Sequence, residues 1–196
     1  GRGVCGAAAG GGAGGQPGFA GILGTGVGGG AVINGQLLRG ANGIASEWGH
    51  NPLPWPRADW GEVPGPLHWD GRYGAIEAWL SGPGLAQDHL RCTGERLSGP
   101  EIVQAAAAGS AAALATLARY YDRLARALAT IINLLDPEVI VFGGGLSQLP
   151  KLCDEVQQRL APWVFTPDCV TKLLTAQHGD ASGVRGAAWL WGVGEA

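Results

Sequence analysis

Five of the seven residues from Gly24 to Gly30 are glycine, and the cluster lies between two short apolar runs, Phe19 to Leu23 and Ala31 to Ile33. An apolar run this short, bounded by turn residues, reads as a buried strand. Backbone without Cβ atoms lets N–H groups come close to an oxyanion. The chain next meets Asn34-Gly35, the dipeptide that favours a type I′ hairpin turn, and resumes with Gln36 to Leu38. The segment therefore predicts a strand, a phosphate-sized turn over Gly24 to Gly30, a second strand and a tight hairpin. A glycine cluster taken alone is also compatible with a turn that binds nothing. Thr25 within it, and Glu47 and His50 downstream, weigh towards a site.

At 196 residues the chain is long enough for one good-sized core, or for one lobe of a larger enzyme. The net charge of −3 and the lack of a basic stripe argue against nucleic acid as a partner. Cys5, Cys92, Cys153 and Cys169 are scattered and form no CxxC pair, which speaks against a disulfide framework or a cysteine zinc cluster and suits a reducing cytoplasm. No apolar stretch reaches the ~18 residues of a membrane span, and the amino end has no signal pattern, so a soluble cytoplasmic protein is expected. Residues 1–18 are rich in Gly and Ala and read as a mobile lead-in. Residues 19–181 read as the folded lobe and 182–196 as a terminal helix carrying Trp189 and Trp191.

Asn51 to Pro66 contains five prolines and two tryptophans and predicts a rigid, irregular loop. Trp55, Trp60 and Trp69 either pack that region down or wall a carbohydrate site. Gly74 to Leu80 opens a helix expected to end at Ser81-Gly82-Pro83-Gly84, and Leu85 to Leu90 begins another. The clearest helix runs from about Pro100 to Leu135 with a break near Gly109. Its buried stripe is Leu114, Leu117, Tyr121, Leu124, Leu128, Ile131 and Leu135, leaving Arg119, Asp122, Arg123 and Arg126 on a solvated face. Asp136-Pro137 stops it, and Val139 to Phe142 is a buried strand. Leu149, Leu152, Val156 and Leu160 mark a further helix that Ser147 would cap. This succession is α/β.

Glu47 and His50, three residues apart, point to one side of a helical turn. A carboxylate accepts hydrogen bonds from vicinal hydroxyls, and imidazole donates or accepts one, so the pair suits a polyol as well as an ordinary surface contact. Gly143, Gly144 and Gly145 follow a strand and precede a helix, where backbone approaches a nucleotide or where a helix packs closely on a sheet.

The segments LGTGVGGG, GANGIASEWGHNPLPWP, GAIEAWLSGPG, VIVFGGGLS and HGDASGVRGAAWLW, in that order, resemble the ROK family of bacterial sugar kinases. The likeness covers nearly the whole chain, and the EWGHNPLPWP version is most similar to fructokinases, with N-acetylglucosamine kinases next. The resemblance implies a ribonuclease H-like lobe of an actin/hexokinase-type ATPase, in which ATP and sugar meet between two lobes. It implies phosphorylation of a hexose, fructose favoured, with ATP and Mg²⁺, and an enzyme that is often a dimer. It further implies that Glu47, His50 and Glu77 hold the sugar hydroxyls. Gly24, Thr25, Gly26, Gly28, Gly29 and Gly30 would face the ATP phosphates, and Gly143 to Gly145 the adenosine side.

The sequence departs from that family in two places. ROK kinases hold a structural zinc through the histidine of the GH pair and three cysteines of a CxCGxxGC run. Here His68, Asp70 and Ala75 stand in the cysteine places. His50, His68 and Asp70 are therefore a candidate open three-ligand site, although the loss of thiolates weakens zinc binding, and tryptophan packing is the other means of holding the loop. The family's general base is an aspartate in an Asn-Asp-Ala run about twenty residues before the LGTG turn. Arg2 lies near that place, no carboxylate precedes Glu47, and the DxGGT-type hairpin is absent. No catalytic base is assigned, and the chain alone is expected to turn over little substrate. The alternative is a non-catalytic sugar-binding or interaction module derived from a ROK kinase.

Overall fold

The structure is a computed structural model and describes residues 17–166 and 168–176. Arg2, Cys5 and the expected terminal helix with Trp189 and Trp191 lie outside the described residues.

Five strands form one mixed sheet: β1 (Gly18–Leu23), β2 (Val27–Ile33), β3 (Gln36–Leu37), β4 (Val139–Gly143) and β5 (Lys172–Thr175), in the order β3-β2-β1-β4-β5. β1, β2 and β3 are an antiparallel meander, whereas β4 and β5 run parallel to β1. The β2–β3 turn is the expected Asn34-Gly35 hairpin, with φ of 51° and 73° as a type I′ turn requires. β1 begins at Gly18, the last residue of the expected lead-in.

The crossover from β3 to β4 holds the helices α1 (Ile76–Leu80), α2 (Gly82–Thr93), α3 (Gly99–Ala107) and α4 (Ala111–Leu135). The short α5 (Leu152–Gln157) lies between β4 and β5. Phe19, Leu23, Ala31, Ile140, Phe142 and Leu173 share a core with Leu80, Leu85, Leu117, Leu124 and Leu128 from the helices. Each of the Phe, Leu and Ile side chains contributes about 1.5–3 kcal/mol by leaving water. Ala20, Val32, Val139 and Val141 face the other side of the sheet and form a smaller cluster.

Several expectations are corrected. The glycine turn is confined to Gly24–Gly26. Gly28, Gly29 and Gly30 belong to β2, where they pair with Ile22, Gly21 and Ala20. A Cβ at Gly29 would lie 2.6 Å from the Phe19 ring, so glycine there serves sheet packing. The helix expected to end at Ser81 does so, but the next begins at Gly82 and not at Leu85: Ser81 caps α2, accepting a hydrogen bond from Gly84 N at 3.2 Å with Pro83 in the first turn. The break near Gly109 is present, with φ of 88°, and Ser110 caps α4. Leu114 is half exposed and lies off the buried stripe. Ser147 caps no helix; it lies in a 3-10 turn, Gly145–Gln148, and donates to Gly144 O at 2.7 Å.

The largest correction concerns the expected solvated face of α4. Arg123 and Arg126 are 1% and 0% exposed. Glu62, from the proline-rich loop, accepts from Arg123 Nε at 2.7 Å and from both Nη atoms of Arg126 at 2.9 Å. Arg126 also donates to Trp55 O at 2.9 Å, and Asp88 of α2 accepts from Arg119 at 2.8 Å and Arg91 at 2.7 Å. Periodicity counts charge as solvated, whereas here fork-shaped guanidinium groups with matched carboxylates bind the loop and α2 to α4.

Candidate functional site

Because β1 and β4 are parallel and Ile22 pairs with Gly143, the turns that follow them emerge side by side. Gly144 has φ of 87°, and a Cβ there would collide with Leu23 O, so only glycine lets the two turns touch. Beyond them, a cavity of about 370 Å³ lined by Ser147, Lys151, Cys153 and Thr175 lies at the carboxyl ends of β4 and β5. Crevices at strand carboxyl ends are where open α/β sheets bind ligands.

The turn Gly24–Gly26 is held from two sides. Gly82 N donates to Gly24 O at 2.8 Å, and Val27 N donates to Glu77 Oε2 at 2.8 Å. A Cβ at Gly26 would sit 2.7 Å from the same carboxylate oxygen, which makes Gly26 the clearance through which Glu77 reaches the turn. No hydrogen bond from Thr25 N or Gly26 N is formed among the described residues, so these two donors are available to an anion.

Glu47 and His50 flank a 3-10 turn, Trp48–His50, seated on β2. Trp48 Nε1 donates to Gly28 O at 2.7 Å while its ring meets Phe19 edge-on, and a Cβ at Gly49 would collide with Val27 O. Glu47 is exposed, with no side-chain partner among the described residues. His50 Nδ1 lies 3.5 Å from Asp70 Oδ2, and its ring meets His68 and Trp69 edge-on at 5.1 and 5.4 Å.

Glu77 links the two parts. Its Oε1 is 3.0 Å from His68 Nε2 and accepts from Trp69 Nε1 at 3.1 Å. Burial pushes the Glu77 carboxyl up, but the hydrogen bonds from Val27, His68 and Trp69 outweigh it and hold the group below its ordinary value. Burial likewise works against a charged His68, and Glu77 and Asp70 outweigh it. With three of about four acceptor positions used, Glu77 is an ionised carboxylate with room for one further donor.

His68, Asp70 and His50 come together as the cysteine-loop alignment requires, their ligand atoms all within 4.8 Å of one another, while Ala75 supplies no donor. Of the tryptophans, Trp69 stands at Glu77 and is 77% exposed. Trp55 stacks on Trp163 at 5.2 Å and Trp60 lies under Arg57 at 3.9 Å; both are engaged in loop packing. The contacts from His68 and Trp69 to Glu77 were not legible in sequence, because residues 68 and 69 reach it only through the Leu67–Tyr73 bridge that folds their loop back.

The sheet order, the crossover helices and the paired glycine turns define an actin/hexokinase-type ATPase fold, as in solved ROK sugar kinases. A ROK hexokinase from Thermus thermophilus superposes with a TM-score of 0.76 at 26% identity, covering 90% of this chain and 58% of that one. A ROK glucokinase from Streptomyces griseus, solved with glucose and AMPPNP, gives 0.76 at 29% identity, covering 91% and 61%. The ROK family model matches residues 7–193, and the chain belongs to the ROK family. It is 39% identical over 171 residues to an N-acetyl-D-glucosamine kinase of Escherichia coli, and 42% identical over 174 residues to one of Photobacterium profundum. Each match covers 86% of this chain and 56% of the relative, so the chain spans about half the length of these relatives. Fructose gains no support from these two, whose names are those of N-acetylglucosamine kinases. Among the described residues no single helix is long and apolar enough to cross a membrane.

Proposed function

We propose that this chain is the sugar-reading and nucleotide-holding lobe of a hexose kinase that transfers the γ-phosphoryl group of ATP, as its Mg²⁺ complex, to a sugar hydroxyl. The observation that carries the reading is Glu77, one carboxylate bonded both to Val27 N at the turn meant for phosphate and to His68 and Trp69, whose rings stand beside His50. A phosphoryl acceptor must lie beside the donor, and a single side chain joining the two elements fixes their separation. Glu47, His50 and the free acceptor position of Glu77 orient hydroxyls, and Thr25 N and Gly26 N face phosphate oxygens. The turn Gly143–Gly145 and the cavity beyond it take the adenosine side. No carboxylate suited to be the general base stands among the residues that form this site. That role falls to the part of the relatives' length that this chain does not span.

Among hexoses the relatives favour N-acetylglucosamine, with fructose the alternative that the EWGHNPLPWP segment suggests. The test is a coupled ADP-release assay on the chain preceded by the amino-terminal lobe of an N-acetylglucosamine kinase relative, run across N-acetylglucosamine, glucose and fructose. Hexose-dependent ADP release, highest with N-acetylglucosamine, is expected. Saturable sugar binding with no release from any hexose would instead support a binding module.

A further inference from the structure

We propose that the cavity between the Ala58–Trp60 turn and the α2–α4 pair is a phosphoryl-binding site, taking the phosphate group of a small phosphomonoester on Arg91 and Arg119. The cavity measures about 410 Å³, and its walls include Asp59, Trp60, Arg91, Cys92, Ala118 and Arg119. Charge does not balance behind it. Arg91, Arg119, Arg123 and Arg126 share the three carboxylates of Glu62, Asp88 and Asp122, which leaves one positive charge over. Arg123 and Arg126 are sealed in the core, so the surplus is felt at the two guanidinium groups that reach the cavity. Asp59 on the wall does not cancel it, because Arg57 Nη2 holds that carboxylate at 3.0 Å.

Both guanidinium groups are fixed from behind. Arg91 Nη2 donates to Asp88 Oδ1 at 2.7 Å and to Trp60 O at 2.9 Å. Arg119 Nε donates to Asp88 Oδ2 at 2.8 Å, and its Nη2 to Thr116 Oγ1 at 3.2 Å. Sharing one carboxylate brings the two forks side by side. Arg91 Nε and Nη1 and Arg119 Nη1 make no hydrogen bond among the described residues. Donors already held in position take an anion with little further loss of side-chain freedom. Two forks call for more than two acceptor atoms, and a phosphoryl group has three oxygens where a carboxylate has two. Gly61 makes the approach possible: its φ is 66°, and a Cβ there would lie 2.5 Å from Arg91 Nη1. The cavity is larger than a phosphate ion, and Trp60, Ala115 and Ala118 supply apolar wall for the body of a monoester. It stands apart from the Gly24–Gly26 turn, since Arg91 is nine residues along α2 from Gly82, which bonds to that turn, and nine residues of helix span roughly 14 Å.

The full chain is titrated with inorganic phosphate and with glycerol 3-phosphate, without hexose or nucleotide. The readout is the rate at which N-ethylmaleimide labels Cys92, followed at its own peptide by mass spectrometry. That thiol is exposed in the cavity wall, so it reports this site and not the glycine turns. Saturable slowing of at least threefold is expected from both. Glycerol 3-phosphate should be half-effective at a concentration at least fivefold below that of phosphate, and acetate should be at least fivefold weaker than phosphate. Ala118→Glu, which touches none of the arginine contacts and puts a carboxylate at an exposed position of the wall, should abolish the protection. Ala118→Gln should keep the half-effective concentration within threefold, and Gly61→Ala, which displaces Arg91, should raise it at least fivefold. Labelling unaffected by either phosphate, protection matched by sodium chloride at equal ionic strength, or protection undiminished in Ala118→Glu would overturn the site. Acetate as potent as phosphate would overturn the phosphoryl group as its ligand, and equal potency of the two phosphates would overturn the monoester. The site does not rest on the proposed function, because no readout involves hexose or ATP.

Discussion

At the scale of single residues, the site depends on what glycine leaves open and on what buried charge holds. Gly26→Ala places a methyl against Glu77 Oε2 and forces the carboxylate off Val27 N. In the two-lobe protein we expect a tenfold rise in hexose KM, with a stability loss of about 1–3 kcal/mol in denaturant titration. Glu62 is the other decisive residue. Its removal leaves Arg123 and Arg126 buried without their carboxylate, and Glu62→Ala should cost about 3–5 kcal/mol in the same measurement. The sign of the pH dependence follows from the same contacts. Burial pushes the Glu62 and Asp88 carboxyls up, but the arginines outweigh it and hold both below their ordinary values. Unfolding at low pH therefore takes up protons. The contribution is complete above the unfolded carboxyl value of about 4 and is lost as pH falls through the folded values. The thermal midpoint should be level near neutrality, fall below about pH 4, and fall less steeply in Glu62→Gln.

At the scale of elements, apolar patterning was readable and charge placement was not. The strand at Phe19–Leu23, the Asn34-Gly35 hairpin, the break at Gly109 and the strand at Val139 all follow from local rules of period and turn chemistry. The buried face of Arg123 and Arg126 does not, because its partners Glu62 and Asp88 lie about sixty and thirty-five positions away in sequence and only the fold brings them together. The same reason hid the contact of Trp69 with Glu77. The glycines of β2 read as turn because a strand rarely tolerates three in succession; at Gly29 the Phe19 and Trp48 rings leave no room for a Cβ, whereas Gly28 faces open space. The core stripe of α4 gives a direct check. Leu128→Ala should lower stability by about 2–5 kcal/mol, whereas Leu114→Ser, at a half-exposed position, should change it by no more than about 0.5 kcal/mol.

At the scale of the whole molecule, the parallel strands β1, β4 and β5 end at one edge and deliver both glycine turns there, while the crossover helices carry Glu77 back to the first of them. Family membership accounts for the arrangement. Around Glu77, the contacts on the side away from the glycine turn are made by His68 and Trp69. Assayed alone, the chain should release ADP at a rate far below that of the two-lobe protein, since the residues of this site include no general base. The central claim is that Glu77 couples sugar recognition to the phosphate turn. The measurement that tests it most directly is kcat/KM for hexose, alongside KM for ATP, in the two-lobe protein and its Glu77→Gln variant. The account predicts a loss of at least about 100-fold in hexose kcat/KM with ATP KM changed by less than about threefold, the loss of a charged hydrogen-bonding partner in a site that reads hydroxyls. A hexose kcat/KM left unchanged by that substitution would contradict it.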